Sequence, residues 1–397
     1  MMKPRKLLAI FILAAMIISL LAGCGQAAPA QSEKPAETQS AAEETAVPAE
    51  PTASEPDSEP AAEPTTRIIT DMLGREVEIP AKVNTIVPIC DVPIMVSYLG
   101  ITDMIVGIEE CEISDNPIRI YANGHAEEWS ALPNVGTSAG TSAFYPEQII
   151  EANPDVIITS NPIETAEDIQ RQTGIPVLCV PNSMKPFTPE YAEALLFISD
   201  VCDCEERGKE LVDYINDSLA DLANRVSGLD DSQKPRVLGG AATFRGGHSI
   251  DGVYKIYPAF NALGINNVAA EVEGKSTALV DKEMILEWDP EIIFLDASNV
   301  GLVRDDYAEN PDFFASLQAF QNRKIYQMPN YNSHVYNVDV SLLNAYYIGS
   351  LVYPELFADV DLEAKAAEIF DMFDGKPDYL NILTENGYGY EQVNLAG

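Results

Sequence analysis

Apolar residues in this chain gather in two kinds of run. Short blocks flanked by Asn, Asp, Pro or Gly occur at Val83–Val87, Met104–Ile108, Asp155–Thr159 and Pro176–Val180. They occur again at Arg236–Gly239, Val268–Ala270, Glu291–Leu295 and Lys324–Met328. Segments of helical character separate them. Brief, continuously apolar strands between helices predict parallel sheets covered on both faces, an α/β fold. The second kind of run is periodic. Leu211, Tyr214, Ile215, Leu219, Leu222 and Val226 recur at helical spacing in a proline-free stretch from about Cys204 to Ser227, stopped by Gly228. At 1.5 Å per residue this helix is about 35 Å long, a strut between two sets of strands.

The two sets repeat each other. "EQIIEANPDVII" from Glu147 returns as "EMILEWDPEIIF" from Glu283: Glu, two apolar residues, Glu, an Asn/Asp-Pro corner, then a strand. "LGITDM" from Leu99 matches "LGINNV" from Leu263. "IPVLCV" leads into Pro181-Asn182 as "KIYQM" leads into Pro329-Asn330. Three matches in one order imply two lobes of one topology. The predicted organisation is a lobe over 67–203, a connecting helix over 204–228, and a second lobe with a C-terminal tail over 229–397.

The N-terminus is of another character. Lys3, Arg5 and Lys6 precede an apolar run from Leu7 to Ala22, the order of a secretory signal and short for a membrane span. Leu21-Ala22-Gly23-Cys24 resembles the lipobox of bacterial lipoproteins. That resemblance implies cleavage of residues 1–23 and lipidation of Cys24. From Gly25 to Thr66 no aromatic residue occurs, and Ala, Pro, Glu, Ser and Thr dominate. Such a stretch cannot bury enough apolar surface to offset its ordering entropy, so 24–66 is expected to be a disordered tether.

Composition narrows the partners. A formal net charge of −38 makes nucleic acid a poor ligand, which leaves solubility as the plain meaning of the charge. Beyond Cys24 stand Cys90, Cys111, Cys179, Cys202 and Cys204. This is an odd set without metal-site spacing and not a disulfide framework. Cys179 reads as a small core residue.

The opening "TDMLGREVEIP" with "VNTIV", the "LPNVGT…YPEQIIEANPDVIIT" block, the long helix and the "LVDKEMILEWDPEIIFLD" block resemble the substrate-binding lipoproteins of ABC importers for iron–siderophores, haem and cobalamin. The resemblance spans about Arg67 to Phe370. It implies two Rossmann-like lobes bridged by a rigid helix, small closing motions, and a ligand in the cleft. The ligand would be a ferric chelate, haem or a corrinoid, with no intrinsic cofactor. The protein would be a monomer outside the cytoplasm, serving a permease dimer and its ATPase. In that family a carboxylate on each lobe docks on the permease; these fall on Glu147 and Glu283. Both sit in the first turn of a helix, where negative charge is favoured.

Ligand contacts are expected in loops at the carboxyl ends of the strands. Cys90-Asp91, Glu109, Glu110, Tyr121, His125, the small-residue loop Gly136–Thr141, Asn161 and Asn182 offer them in the first lobe. Arg245 and His248 of "TFRGGHS", and Tyr331, Asn332, His334, Tyr336, Asn337 and Asp339 of "NYNSHVYNVD", offer them in the second. The expected ligand set is Tyr121, Asn182, Arg245, His248, Tyr331, Asn332 and Tyr336; rings supply contact area and amides fix orientation. His125 reads as structural. A bare transition-metal site from His248, His334 and Asp339 is the main alternative. A sensory lipoprotein without an importer is another. The chain carries no nucleophile elbow, phosphate loop or paired-His motif, so an enzyme is not expected.

Overall fold

The computed structural model describes residues 65–137, 143–182 and 184–395. The expected signal (1–23), Cys24, most of the expected tether and residues 138–141 of the small-residue loop lie outside them. Among the described residues no helix is long and apolar enough to cross a membrane.

Two parallel sheets form the two lobes. In the first, Ile86–Ile89, Val156–Thr159 and Val177–Cys179 pair in that order. The block expected at Met104–Ile108 contributes only single parallel bridges, Ile86 with Ile105 and Ile108 with Asn134. In the second lobe the order is Glu391–Gln392, Ile325–Met328, Ile292–Asp296, Arg236–Gly240, Asn266–Asn267. Only the C-terminal edge strand runs antiparallel. The strand expected at Val268–Ala270 falls two residues earlier, and Val268 N closes the pairing on Val237 O.

Strand alternation explains why these blocks are apolar throughout. Val156, Ile158 and Leu178 face a large core beneath the long helix, whereas Ile157, Val177 and Cys179 face an outer core of the first lobe. Val237, Ile292 and Phe294 join the same large core, and Leu238, Ile293 and Leu295 face an outer core of the second lobe. The central strands therefore have two apolar faces, whereas the edge strands Asn266–Asn267 and Glu391–Gln392 are polar.

The long helix spans Glu205–Val226 and buries Gly208, Leu211, Ile215, Ser218 and Leu222. Gly208 permits close approach to the preceding helix, Pro189–Val201: a Cβ there would lie 2.6 Å from Ser199 Cβ.

The C-terminal segment is not a tail. Helix Leu362–Asp374 buries Ile369, Phe370 and Phe373, and Phe373 packs edge-on against Tyr98 of the first lobe at 4.9 Å. Lys376 Nζ donates to Ile120 O at 2.8 Å, and Tyr379 Oη donates to Pro117 O at 3.0 Å. Tyr98 Oη donates to Asp339 Oδ1 at 2.6 Å from helix Val92–Tyr98 to helix Val338–Val352. The second half of the chain therefore grips the first lobe well beyond the single strut.

Candidate ligand-binding cleft

The carboxyl ends of both sheets face a cleft of about 310 Å³ lined from both lobes, chiefly by Asp91, Phe244, Lys275, Tyr331, His334 and Tyr336. On the first-lobe side, strand Ile86–Ile89 ends in Cys90, whose φ of 64° turns the chain sharply. Cys90 N donates to Glu109 Oε2 at 2.6 Å. Asp91 and Ser160, at the ends of adjacent strands, are joined by Ser160 Oγ to Asp91 Oδ2 at 3.2 Å. Burial pushes the Glu109 carboxyl up to about 7 and the Cys90 thiol up to about 12.

The second-lobe side is a buried polar network under an aromatic floor. Asp296, the last residue of its strand, accepts from Tyr254 Oη at 2.6 Å and from Thr243 N at 3.2 Å. Its Oδ1 is buried without a hydrogen-bond partner. Full burial pushes its carboxyl up to about 7 despite these donors. Asn332 Nδ2 donates to Thr243 O at 2.8 Å, which fixes the Thr243–His248 turn to the final loop. Tyr331 packs on Tyr257 at 4.7 Å and on Tyr254 at 5.6 Å, and Tyr336 stacks on Tyr331 at 5.8 Å. Burial raises the Tyr331 and Tyr336 phenols, so both are neutral donors near pH 7.

The expected site residues sort as follows. Tyr331, Asn332 and Tyr336 line the cleft. Arg245 is exposed at the tip of the adjoining turn with φ 52°, next to the lining residue Phe244. His248 lies in the same turn, with its ring 4.2 Å from Phe244 and Nε2 2.9 Å from Phe244 O. Asn182 is exposed outside the cleft lining, and its Nδ2 donates to Ser160 O at 3.1 Å. Tyr121 is a correction. It is 1% exposed, and its hydroxyl donates to Glu112 Oε2 at 2.6 Å, so it supports a neighbour instead of facing the cleft. The trio His248, His334 and Asp339 is a second correction. Asp339 is wholly buried against Tyr98, His248 belongs to the Thr243–His248 turn, and His334 Nε2 lies 2.7 Å from Glu112 Oε1. His125 stacks on Trp129 at 5.0 Å, in keeping with a structural role.

Lys275, Ser276, Thr277 and Phe244 also line the cleft, beyond the residues expected from the sequence. Lys185 Nζ reaches across from the first lobe to Ser276 Oγ at 2.7 Å. The signal was present: lysines are scarce here, and "EGKST" sets one in a turn where Gly274 takes φ 128°. The antiparallel pair Gly252–Tyr254 with Thr277–Leu279, invisible in the hydrophobic pattern, brings that turn to the cleft.

The repeated blocks adopt one geometry. Helices Pro146–Ala152 and Lys282–Trp288 each bury one isoleucine, Ile149 and Ile285, and each ends in a left-handed residue, Asn153 or Asp289. Glu147 and Glu283 are exposed in the first turns, and the equivalent Ile150 and Leu286 beside them are 49% and 40% exposed.

Two lobes with a ligand-sized cleft between parallel sheets define a solute-binding protein. The chain matches the periplasmic binding protein family over residues 95–331 and belongs to it. Among curated relatives, the molybdate-binding protein MolA of Haemophilus influenzae is 26% identical over 338 residues, 77% of this chain and 90% of that protein. Among solved structures, a periplasmic solute binding protein from Veillonella parvula superposes with a TM-score of 0.62 at 21% identity, over 78% of this chain and 93% of that one. The molybdate-bound MolA structure gives 0.60 at 23% identity, over 78% and 98%.

Proposed function

We propose that this protein is the substrate-binding component of an ABC importer, anchored outside the membrane through Cys24, and that its cargo is a compact, metal-bearing anion. The observation that carries this is the placement of scarce cations. In a chain of net charge −38, Lys275 lines the cleft and Lys185 reaches to its wall at Ser276. Arg245 stands one residue beyond the lining Phe244. Hydroxyl and amide donors from Thr243, Ser276, Thr277 and Asn332 suit oxygen acceptors.

A molybdate-type oxyanion is the first reading, supported by the relation to a molybdate-binding protein. The rings of Phe244, Tyr331 and Tyr336 favour a second reading, a compact anionic ferric chelate of the siderophore kind. Haem and cobalamin fit less well, because about 310 Å³ lies at the small end of ligand pockets. Glu147 and Glu283 are the proposed permease contacts, one per lobe.

Titration calorimetry with molybdate, tungstate, sulfate, a ferric hydroxamate, haem and cobalamin tests the cargo. Saturable binding of a metal-bearing anion, weakened in Lys275→Ala, supports the proposal. Binding confined to neutral or cationic solutes overturns it.

A further inference from the structure

At one end of the cleft three metal-binding side chains from opposite lobes converge. Cys111 Sγ, a Glu112 carboxylate oxygen and a His334 ring nitrogen all lie within 4.8 Å of one another, the one such group of His, Cys, Asp and Glu among the described residues. Cys111 and Glu112 lie in a short 3₁₀ turn, Glu110–Glu112, of the first lobe. His334 comes from the loop after the last parallel strand of the second lobe and lines the cleft.

We propose that Cys111, Glu112 and His334 bind a borderline divalent cation of the zinc class, which clasps the two lobes and keeps an open coordination position beside the cleft. The donor set is thiolate, carboxylate and imidazole, the mixture that suits such ions and not calcium or magnesium. Charge also balances in the metal-bound site: one thiolate and one carboxylate together neutralise a divalent ion.

The geometry is close to that of a bound ion. Metal–ligand bonds of about 2.0–2.3 Å in a tetrahedron separate the ligand atoms by about 3.3–3.8 Å. Sγ of Cys111 lies 3.6 Å from Glu112 Oε1, already in that range. His334 Nε2 lies 2.7 Å from the same oxygen, a hydrogen-bond distance. An entering ion replaces the proton there, takes the Cys111 thiol proton away as well, and widens the gap by about 0.6 Å. Tyr121 holds the carboxylate for this: its hydroxyl occupies Oε2 and leaves Oε1 turned to the cysteine and histidine.

The site can be tested without any cargo, so its failure would leave the proposed transport role standing. Purified full-length protein is titrated with Co²⁺ under reducing conditions and followed by absorption, then back-titrated with Zn²⁺. The expected result is one equivalent of Co²⁺ with a thiolate-to-metal charge-transfer band, displaced by Zn²⁺. Cys111→Ser should remove the band. His334→Asn should weaken Zn²⁺ at least about tenfold; Asn tolerates the left-handed backbone that His334 adopts at φ 67°. Zn²⁺ should also raise the melting temperature of the wild type and not of Cys111→Ser. No thiolate band in the wild type, or one that survives in Cys111→Ser or stays equally tight in His334→Asn, overturns the proposal.

Discussion

Asp71 Oδ2 receives both Nε and Nη2 of Arg75, at 2.9 and 2.7 Å, across the turn of the N-terminal hairpin. The same carboxylate accepts from Leu73 N, Arg75 N and Cys179 N, and Arg75 Nη2 donates on to Val177 O. The pair thus stitches hairpin Thr66–Thr70/Glu76–Pro80 to the edge strand Val177–Cys179. Asp71→Ala leaves three amides without their acceptor and Arg75 without its carboxylate partner. We expect a loss on the order of 3–5 kcal/mol of unfolding free energy, measured by urea denaturation. A loss below about 1 kcal/mol would show that the hairpin is not held by this pair.

The proposed docking residues, Glu147 and Glu283, should separate transport from affinity. Glu147→Arg combined with Glu283→Arg should abolish uptake in cells carrying the cognate importer. Cargo affinity and melting temperature of the purified protein should stay near wild type, because both side chains are exposed and contact nothing in the cleft. Single Glu→Ala changes should give partial defects. Normal uptake by the double reversal would remove these residues from the permease interface.

Cleft contacts should divide by chemistry. Tyr336→Ala and Lys275→Ala should each weaken cargo binding about 5- to 150-fold, equivalent to about 1–3 kcal/mol. Tyr331→Ala should also cost stability, since it is 3% exposed and packs on two further tyrosines. Tyr121→Phe should leave cargo affinity unchanged, because its hydroxyl faces Glu112 and not the cleft. Titration calorimetry and thermal melts on the four variants read both effects.

Asp296 and Glu109 make a pH prediction with a definite sign. Burial raises each to about 7 in the folded protein, from 3.8 and 4.5. A raised folded value means extra protons held in the native state. Their contribution is therefore complete below about pH 4 and is lost as pH rises through 7. Stability should fall between pH 5 and 8 by on the order of a few kcal/mol, and Asp296→Asn with Glu109→Gln should flatten that fall. Anion capture should weaken over the same interval in the wild type, since ionised Asp296 places negative charge beneath Thr243, a lining residue. Urea denaturation and calorimetry across that range check both parts.

Several features follow from the sequence because they are set by local chemistry. The central strand blocks are apolar on both faces, so the parallel α/β class could be read without contacts, although Met104–Ile108 forms only isolated bridges. The helix Glu205–Val226 declared itself through its period and the absence of proline. Identical order in the Glu147 and Glu283 blocks announced two lobes, and the helices there do start at Pro146 and Lys282. Tyr331, Asn332 and Tyr336 were legible because they follow the last parallel strand, where α/β sheets open onto a cleft.

Tertiary structure decided the rest. Nothing local distinguishes Tyr121, whose ring is swallowed by the core, from Tyr336, which faces the cleft; only the packing of neighbours does. Lys275 reaches the site because two three-residue strands pair across twenty-two intervening residues, 255–276, a contact with no periodic signature. The C-terminal helices return to the first lobe because Phe373 finds Tyr98, a pairing between residues 275 positions apart. His334 meets Glu112 for the same reason, at a separation of 222. A sequence specifies which residues are able to bind; which of them meet depends on how distant segments share one core.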